Sequence, residues 1–344
     1  MTVEQGEIAT PPPLLARYAP EVAECLESRA PAATSMTGRM AAYHMGWVDR
    51  DGRRDRAAPG KLVRPSLCLW ACAAAGAEPR LALPLACAVE WVHNFTLVHD
   101  DIQDGDRERR HRETVWSVWG AAQGINAGDA IQAYAYELLL APGPAPARRL
   151  RAGRVLAGAV RTLVEGQCQD LALEGRLEAG PRAYLRVARA KTGALLGACL
   201  EAGAVIGGAR SRVSERLRRA GELVGLAFQV RDDWLGIWGE PERTGKSCDG
   251  DLGRRKVTYP VVAGYGQMAA RERRRFRTLF APDREPAVPE LRTLLEEHGA
   301  RTLAAGAAER FAGEAVALVG ECALPDQSTR EFEEFARYVV GRQR

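Results

Sequence analysis

Apolar residues recur every three to four positions over most of this chain, the spacing that lines one face of an α-helix. The pattern predicts helices over residues 65–78, 82–104, 124–141, 150–175, 182–207, 212–237, 255–268, 287–297, 300–320 and 329–341. No run of alternating β-branched residues offers a strand. Breaks fall from Asp49-Arg50-Asp51-Gly52 to Gly60, at Gly143-Pro144, at Gly239-Glu240-Pro241, and from Ala281-Pro282-Asp283 to Pro289. Residues 1–35, with Pro11-Pro12-Pro13 and Pro31, read as a mobile arm or short leading helices. The remainder, 36–344, reads as one all-α domain.

Composition agrees with that pattern. Ala, Leu, Arg and Glu are abundant and aromatics make up only 6% of the 344 residues, which favours helix over sheet. A formal charge of +4 is too small to call for nucleic acid. The basic run Arg271, Arg273, Arg274, Arg275 and Arg277 reads as a solvated helix face. Cysteines at 25, 68, 72, 87, 168, 199, 248 and 322 make no tight CxxC pair, so buried free thiols in a reducing compartment are expected. Cys68 and Cys72 share a helix face, but zinc would need two more ligands. The opening has Glu4 and Glu7 and no apolar signal core, and Glu201 breaks the apolar run from Thr192 to Gly208. The expectation is a cytoplasmic protein without a membrane span.

Two acidic clusters interrupt the apolar pattern. One reads Asp100-Asp101-Ile102-Gln103-Asp104, the other Asp232-Asp233-Trp234-Leu235-Gly236. Carboxylates in apolar stretches are costly to desolvate unless a cation meets them. Asp100 and Asp104 fall one turn apart on a helix face, with Asp101 flanking. Like charges at a helix C-terminus oppose both each other and the macrodipole. A solvated helix end is one reading of the arrangement; the functional one is hard divalent ions, which take oxygen ligands and bridge to phosphates. Arg107, Arg109, Arg110 and Arg112 follow directly and suit the same polyanion, since arginine pairs bidentately with phosphate. After the second cluster come Gly245-Lys246, Asp249, Asp251 and Lys256, the makings of a lid over a metal-bound diphosphate.

Taken in order, these motifs resemble the trans-isoprenyl diphosphate synthases, or polyprenyl synthetases, from roughly Gly60 to Pro260. Gly60-Lys61 with Arg64-Pro65 is similar to that family's first basic motif. Glu90 and His93 through Asp104 are similar to its first aspartate-rich motif. Gly128-Asp129-Ala130, Gly166-Gln167 with Asp170, and Lys191-Thr192-Gly193 resemble three intermediate signatures. Phe228-Gln229 with Asp232-Asp233, then Gly245-Lys246, Asp251-Leu252 and Lys256, resemble the second aspartate-rich motif.

The resemblance implies an isoprenoid-synthase-type helical bundle around a central cavity, working as a homodimer. It implies Mg²⁺ as cofactor, with a pair of ions at Asp100 and Asp104, Asp101 supporting, and a third ion at Asp232, Asp233 nearby. With Lys191, these aspartates would form the catalytic set. An allylic diphosphate would be held by Arg109, Lys191, Thr192, Gln229, Lys246 and Lys256. Isopentenyl diphosphate, which arrives without metal, would be held by Lys61, Arg64, His93 and Arg110. Phe95, five residues before the first aspartate, and Thr96 beside it would floor the cavity. An aromatic there, without an insertion between the aspartates, implies a fifteen- or twenty-carbon product, geranylgeranyl diphosphate slightly ahead of farnesyl diphosphate.

Two departures stand against the family pattern. Arg-Arg-Gly-x-Pro-Thr becomes Arg109-Arg110-His111-Arg112-Glu113-Thr114, and Gly236 replaces the second cluster's last aspartate. The second is expected to be harmless, with Gly236→Asp changing turnover little. A class I terpene cyclase is the chief alternative, but Lys61, Arg64 and Arg110 would serve no purpose in one. A regulatory paralogue would be expected to lose first-cluster aspartates, and all three are present. A ferritin-like di-metal oxidase needs two Glu-x-x-His pairs, and Glu90 with His93 supplies one.

Overall fold

The computed structural model describes residues 11–55, 60–141, 145–239, 250–283 and 285–342. The described chain is all-α apart from one short hairpin. Helices α1 (Pro13–Ser28), α2 (Met36–His44), α3 (Val63–Ala74) and α4 (Leu83–Gln103) lead into strands β1 (Glu108–Arg109) and β2 (Arg112–Glu113). Then come α5 (Val115–Trp119), α6 (Ala121–Leu140), α7 (Pro146–Leu173), α8 (Gly180–Ala188), α9 (Ala194–Gly207) and α10 (Ser211–Trp238). The series closes with α11 (Gly250–Gly253), α12 (Tyr259–Gln267), α13 (Ala270–Phe280), α14 (Val288–Glu297), α15 (Ala300–Gly320) and α16 (Asp326–Gly341).

The predicted stretch 182–207 is interrupted. A π-helical turn, Arg189–Gly193, joins α8 to α9, and such turns often mark functional sites. The predicted helix at 255–268 starts later, at Tyr259, with Pro260 in its first turn, where a missing N–H costs nothing. Periodicity missed α2, which is short and capped by Ser35 Oγ accepting from Gly38 N at 3.0 Å. Within residues 1–35, α1 buries Leu14, Leu15, Tyr18, Val22 and Leu26.

By their contacts the described residues form two compact units. One holds Pro13–Gly158 with Ala198–Glu215, and the other holds Ala159–Gly197 with residues from Arg216 onward. In the first, α4 is the central element and packs against α1, α3, α5 and α6. Its Trp91 is fully buried and meets Trp47 and Tyr134 edge-on at 5.8 and 6.2 Å. Truncating a core tryptophan to Ala costs about 3–5 kcal/mol. Gly207 brings α9 against α3, since a Cβ there would lie 2.7 Å from Cys72 O. In the second unit, α12 packs against α8, α14 and α15. Val261, Tyr265, Phe276, Phe280, Leu291 and Leu295 form its core.

Cys25, Cys68, Cys72, Cys87, Cys199 and Cys322 are buried free thiols and Cys168 is exposed; Cys248 lies outside the described residues. Two helical stretches, Pro79–Gln103 and Leu177–Gly207, are long and apolar enough to cross a membrane. Most of each is buried inside the protein itself, so their apolar character is taken up by core packing.

Candidate active site

At the end of α4, Asp104 N donates to Asp100 O at 2.8 Å, which keeps the helical turn intact. Asp100 is half-buried and Asp104 exposed, so this turn offers two carboxylates outward. Asp101 points inward and is 1% exposed. Its Oδ1 accepts from Nε and Nη2 of Arg109, both at 2.7 Å, while Oδ2 is buried without a hydrogen bond. Burial pushes the Asp101 carboxyl up to about 6, with Arg109 pulling the other way. The three aspartates therefore divide into two that face out and one that fixes Arg109.

Arg109 lies on a hairpin in which it pairs with Arg112 and Glu108 pairs with Glu113. Its two-residue turn is Arg110-His111, with φ of +53° and +61°, the left-handed pair that tight hairpins require. His111 thus adopts a glycine-like conformation where the resembled pattern has glycine. The hairpin survives at a strain of roughly 1–2 kcal/mol per left-handed residue. Arg112 braces its base, lying over the Tyr43 ring at 4.4 Å and donating to Val48 O at 2.9 Å.

Two turns before Asp100, Arg64 Nη1 lies 3.2 Å from His93 Nε2. Arginine only donates, so this ring nitrogen carries the lone pair. Burial, with Arg64 and Arg110 nearby, holds His93 well below its usual range, and it is neutral. Below it Asn94 Nδ2 donates to Glu90 O at 2.8 Å and to Glu90 Oε1 at 3.1 Å. Asn94 Oδ1 accepts from His44 Nε2 at 3.1 Å. A Cβ on Gly60 would lie 3.1 Å from Arg110 Nη2, so a bare backbone lets that guanidinium settle. Lys61, one residue on, is exposed. His44 and Asn94 went unread in the sequence; a buried asparagine in an apolar helix was the available signal.

Phe95 and Thr96 are both buried. Phe95 meets His99 edge-on at 5.9 Å, and Thr96 Oγ1 donates to His93 O at 2.7 Å. His99 packs onto Gly128: an added Cβ would lie 2.9 Å from His99 Cε1 and nearer still to Nε2 and Cδ2.

The second cluster divides in the same way. Asp232 keeps nearly half of its side chain exposed, with Arg342 Nη2 at 3.4 Å from Oδ1. Asp233 is buried and accepts on both oxygens: Tyr184 Oη and Tyr259 N (2.8 Å) donate to Oδ2, and Gln229 Nε2 donates to Oδ1 at 3.0 Å. Burial nonetheless pushes Asp233 up to about 7. Gln229 Oε1 then accepts from Thr192 Oγ1 at 2.8 Å. Thr192 sits on the π-helical turn beside Lys191, whose Nζ lies 2.8 Å from Asp170 Oδ2. So Asp233, grouped by sequence with the catalytic carboxylates, is a buried hub that orients Gln229. Tyr184 and Arg342 were not read from the sequence at all.

Two glycines set this geometry. A Cβ on Gly166 would lie 2.6 Å from Lys191 N, so α7 presses against the π-helical turn. A Cβ on Gly236 would overlap the Asp251 carboxylate and lie 2.8 Å from its Cγ. Gly236→Asp would therefore push the Asp251 carboxylate aside and set two like charges together. Lys256 is half-buried, its N–H donating to Asp251 O at 2.9 Å. Lys246 lies outside the described residues.

Residues 53–297 match a family model described as polyprenyl synthetase. The chain belongs to the polyprenyl synthetase family. It is 41% identical over 310 residues to a (2E,6E)-farnesyl diphosphate synthase of Mycobacterium tuberculosis, covering 88% of this chain and 85% of that one. It is 46% identical over 224 residues to a geranylgeranyl diphosphate synthase of the same organism, covering 65% of this chain and 64% of the relative. The structure of a Caulobacter crescentus CB15 polyprenyl synthase, complexed with calcium and isoprenyl diphosphate, superposes with a TM-score of 0.84 at 30% identity over the full length of both chains. This polyprenyl synthetase is therefore a trans-prenyltransferase of the short-chain kind.

Proposed function

We propose that the enzyme joins isopentenyl diphosphate head-to-tail to an allylic diphosphate, namely dimethylallyl, geranyl or farnesyl diphosphate. The product is an all-trans chain, geranylgeranyl diphosphate ahead of farnesyl diphosphate. The observation that carries this reading is the pairing of the outward carboxylates Asp100 and Asp104 with His93, two turns earlier on α4, and with Arg64 of α3, which meets it. The first suits a metal-bound diphosphate, and the second a diphosphate that comes without metal. A terpene cyclase needs only the first.

The donor chemistry fits Mg²⁺. Among the described residues no group of three or more His, Cys, Asp or Glu could by itself cage an ion. Mg²⁺ instead takes one or two carboxylates together with substrate phosphates. Asp100 and Asp104 would hold such ions, and Asp232 a third. When bound, the ions act as Lewis acids that neutralise the departing diphosphate. Arg109, fixed by Asp101, adds its cation to the same group, as do Lys191, Lys246 and Lys256. Thr192 and Gln229 orient it through the Asp233 hub. Lys61, Arg64, Arg110 and the neutral His93 hold isopentenyl diphosphate. Phe95 and Thr96 close the apolar end of the site, which keeps water from the allylic carbon.

A second copy of the chain completes the proposal, as a homodimer. Ile125, Leu140 and Leu150 are exposed at 50%, 78% and 65%, apolar side chains that a copy would cover. The buried free thiols suit the cytoplasm. The test is purified protein with Mg²⁺, labelled isopentenyl diphosphate and each allylic primer, followed by product chain-length analysis. Elongated all-trans diphosphates support the reading. A hydrocarbon formed from a long allylic diphosphate alone would make the protein a cyclase, and no turnover with any primer would make it a regulatory paralogue.

A further inference from the structure

The helix α1 packs against α3 and α4. Its last turn sets Cys25 against Cys87 of α4, and the two thiols share a hydrogen bond. Cys25 is 7% exposed and Cys87 is fully buried. The Cys25 backbone is pinned, because its carbonyl accepts from Ser28 Oγ at 3.0 Å and from Arg29 N at 3.1 Å. The hydrogen bond from Cys87 holds the Cys25 thiol below its usual range against the effect of burial; Arg29 adds to it, while Glu21 and Glu24 oppose. The same bond, with burial, pushes Cys87 up. One sulfur of the pair gives up its proton readily and the other keeps it.

The remaining core thiols differ. Cys68 and Cys199 also share a hydrogen bond, between α3 and α9, but neither is exposed and burial pushes Cys68 well up. Cys72 Sγ donates to Glu78 O at 3.5 Å, and burial pushes that thiol up to about 11. Thiols raised in apolar surroundings are inert, whereas a lowered thiol with access to solvent and a second sulfur beside it is the arrangement that senses oxidants.

We propose that Cys25 and Cys87 form a redox-active dithiol, which hydrogen peroxide oxidises to a disulfide joining α1 to α4. The Cys25 thiolate attacks one peroxide oxygen, an S–O bond forms, the O–O bond breaks, and the other oxygen leaves as water with the thiol's proton. The Cys87 sulfur then attacks the sulfenic sulfur of Cys25. An S–S bond forms, the S–O bond breaks, and the hydroxyl leaves as water with the Cys87 proton. Two thiols give up two electrons and two protons, and one peroxide becomes two waters. The sulfurs are already in contact and close to about 2.05 Å. The bond encloses a loop of about 60 residues that carries Lys61 and Arg64, so oxidation staples this segment onto α4. The inference stands apart from the reaction proposed above.

The experiment uses the full-length protein with Cys168→Ser and Cys248→Ser, which leaves the six buried thiols. Reduced protein is treated with hydrogen peroxide, blocked with N-ethylmaleimide under denaturing conditions, and mapped by peptide mass spectrometry. A Cys25–Cys87 disulfide peptide should appear and be lost on dithiothreitol, and Tm of the oxidised protein should rise by about 5 °C. In Cys87→Ser, which lacks the second sulfur, dimedone should label Cys25 as sulfenic acid at least about 10-fold more than Cys68. The peptide map needs no change in the pair, so it decides the matter even if Cys87→Ser fails to fold. Cys25 and Cys87 both carrying maleimide after peroxide would overturn the inference, as would a disulfide between Cys68 and Cys199 in their place. Equal dimedone labelling of Cys25 and Cys68 in folded Cys87→Ser would overturn it too. A Cys25–Cys87 bond that left Tm unchanged would overturn the stapling of α1.

Discussion

Gly166→Ala tests whether the close approach of α7 to the π-helical turn is needed for turnover. The added Cβ would lie 2.6 Å from Lys191 N and 2.8 Å from Ala190 C, where ordinary contact begins at 3.4 Å. Backbone atoms cannot rotate away as a side chain could. The turn and α7 must therefore part by about 0.8 Å, carrying Lys191 and Thr192 with them. Overpacking of this kind costs about 1–3 kcal/mol, and a shift near 1 Å at reacting groups costs on the order of 10²-fold. Steady-state assays should show kcat/KM for the allylic diphosphate down about 100-fold, with KM for isopentenyl diphosphate little changed. Gly158→Ala on the same helix is the control, since its Cβ would meet nothing within 4 Å. It should stabilise by roughly 0.5–1 kcal/mol, the usual gain of Ala over Gly in a helix, and keep full activity. If Gly166→Ala retained wild-type kcat/KM, or if the two variants behaved alike, the reasoning from the close contact would be wrong.

Asp100→Ala and Asp104→Ala should each nearly abolish product formation in a radiolabel assay while leaving Tm close to wild type, because both carboxylates face outward. His111→Gly should raise stability by about 1 kcal/mol in chemical denaturation, by relieving its left-handed strain at φ +61°. Asp233 is held in the folded protein at about 7 against an ordinary 3.8, so the folded state keeps a proton that the unfolded state loses. Its stabilising contribution is full below about pH 4 and is lost as pH rises towards 7. The span is on the order of 4 kcal/mol, and urea melts of Asp233→Asn should show that much less pH dependence over this range. Phe95→Ala should lengthen the product seen by chromatography; unchanged chain length would remove Phe95 as the floor.

Much of the site was legible because it is local. Asp100 and Asp104 one turn apart, with His93 two turns before, follow from helical spacing once α4 is identified, and their outward or half-buried positions agree with it. The hairpin at 108–113 was not legible, since two-residue strands have no period to read. The helix α1 was legible only as one of two readings of residues 1–35, a mobile arm or short leading helices, because its apolar residues follow a run of prolines. Asp101 and Asp233 looked like their neighbours in sequence. Only Arg109 on a following hairpin, and Tyr184 some fifty residues away, set them apart as inward anchors.

The sequence by itself determined the all-α class, the positions of most helices and the order of the motifs, because periodicity and spacing act over one or two helical turns. Tertiary structure alone decided which carboxylates face solvent. It also decided why Gly166, pressed against the backbone of the π-helical turn, is a glycine. Those outcomes depend on close approaches between segments apart in the chain, such as Lys191 against Gly166. No local pattern encodes a contact of that kind, because its partner is chosen by packing.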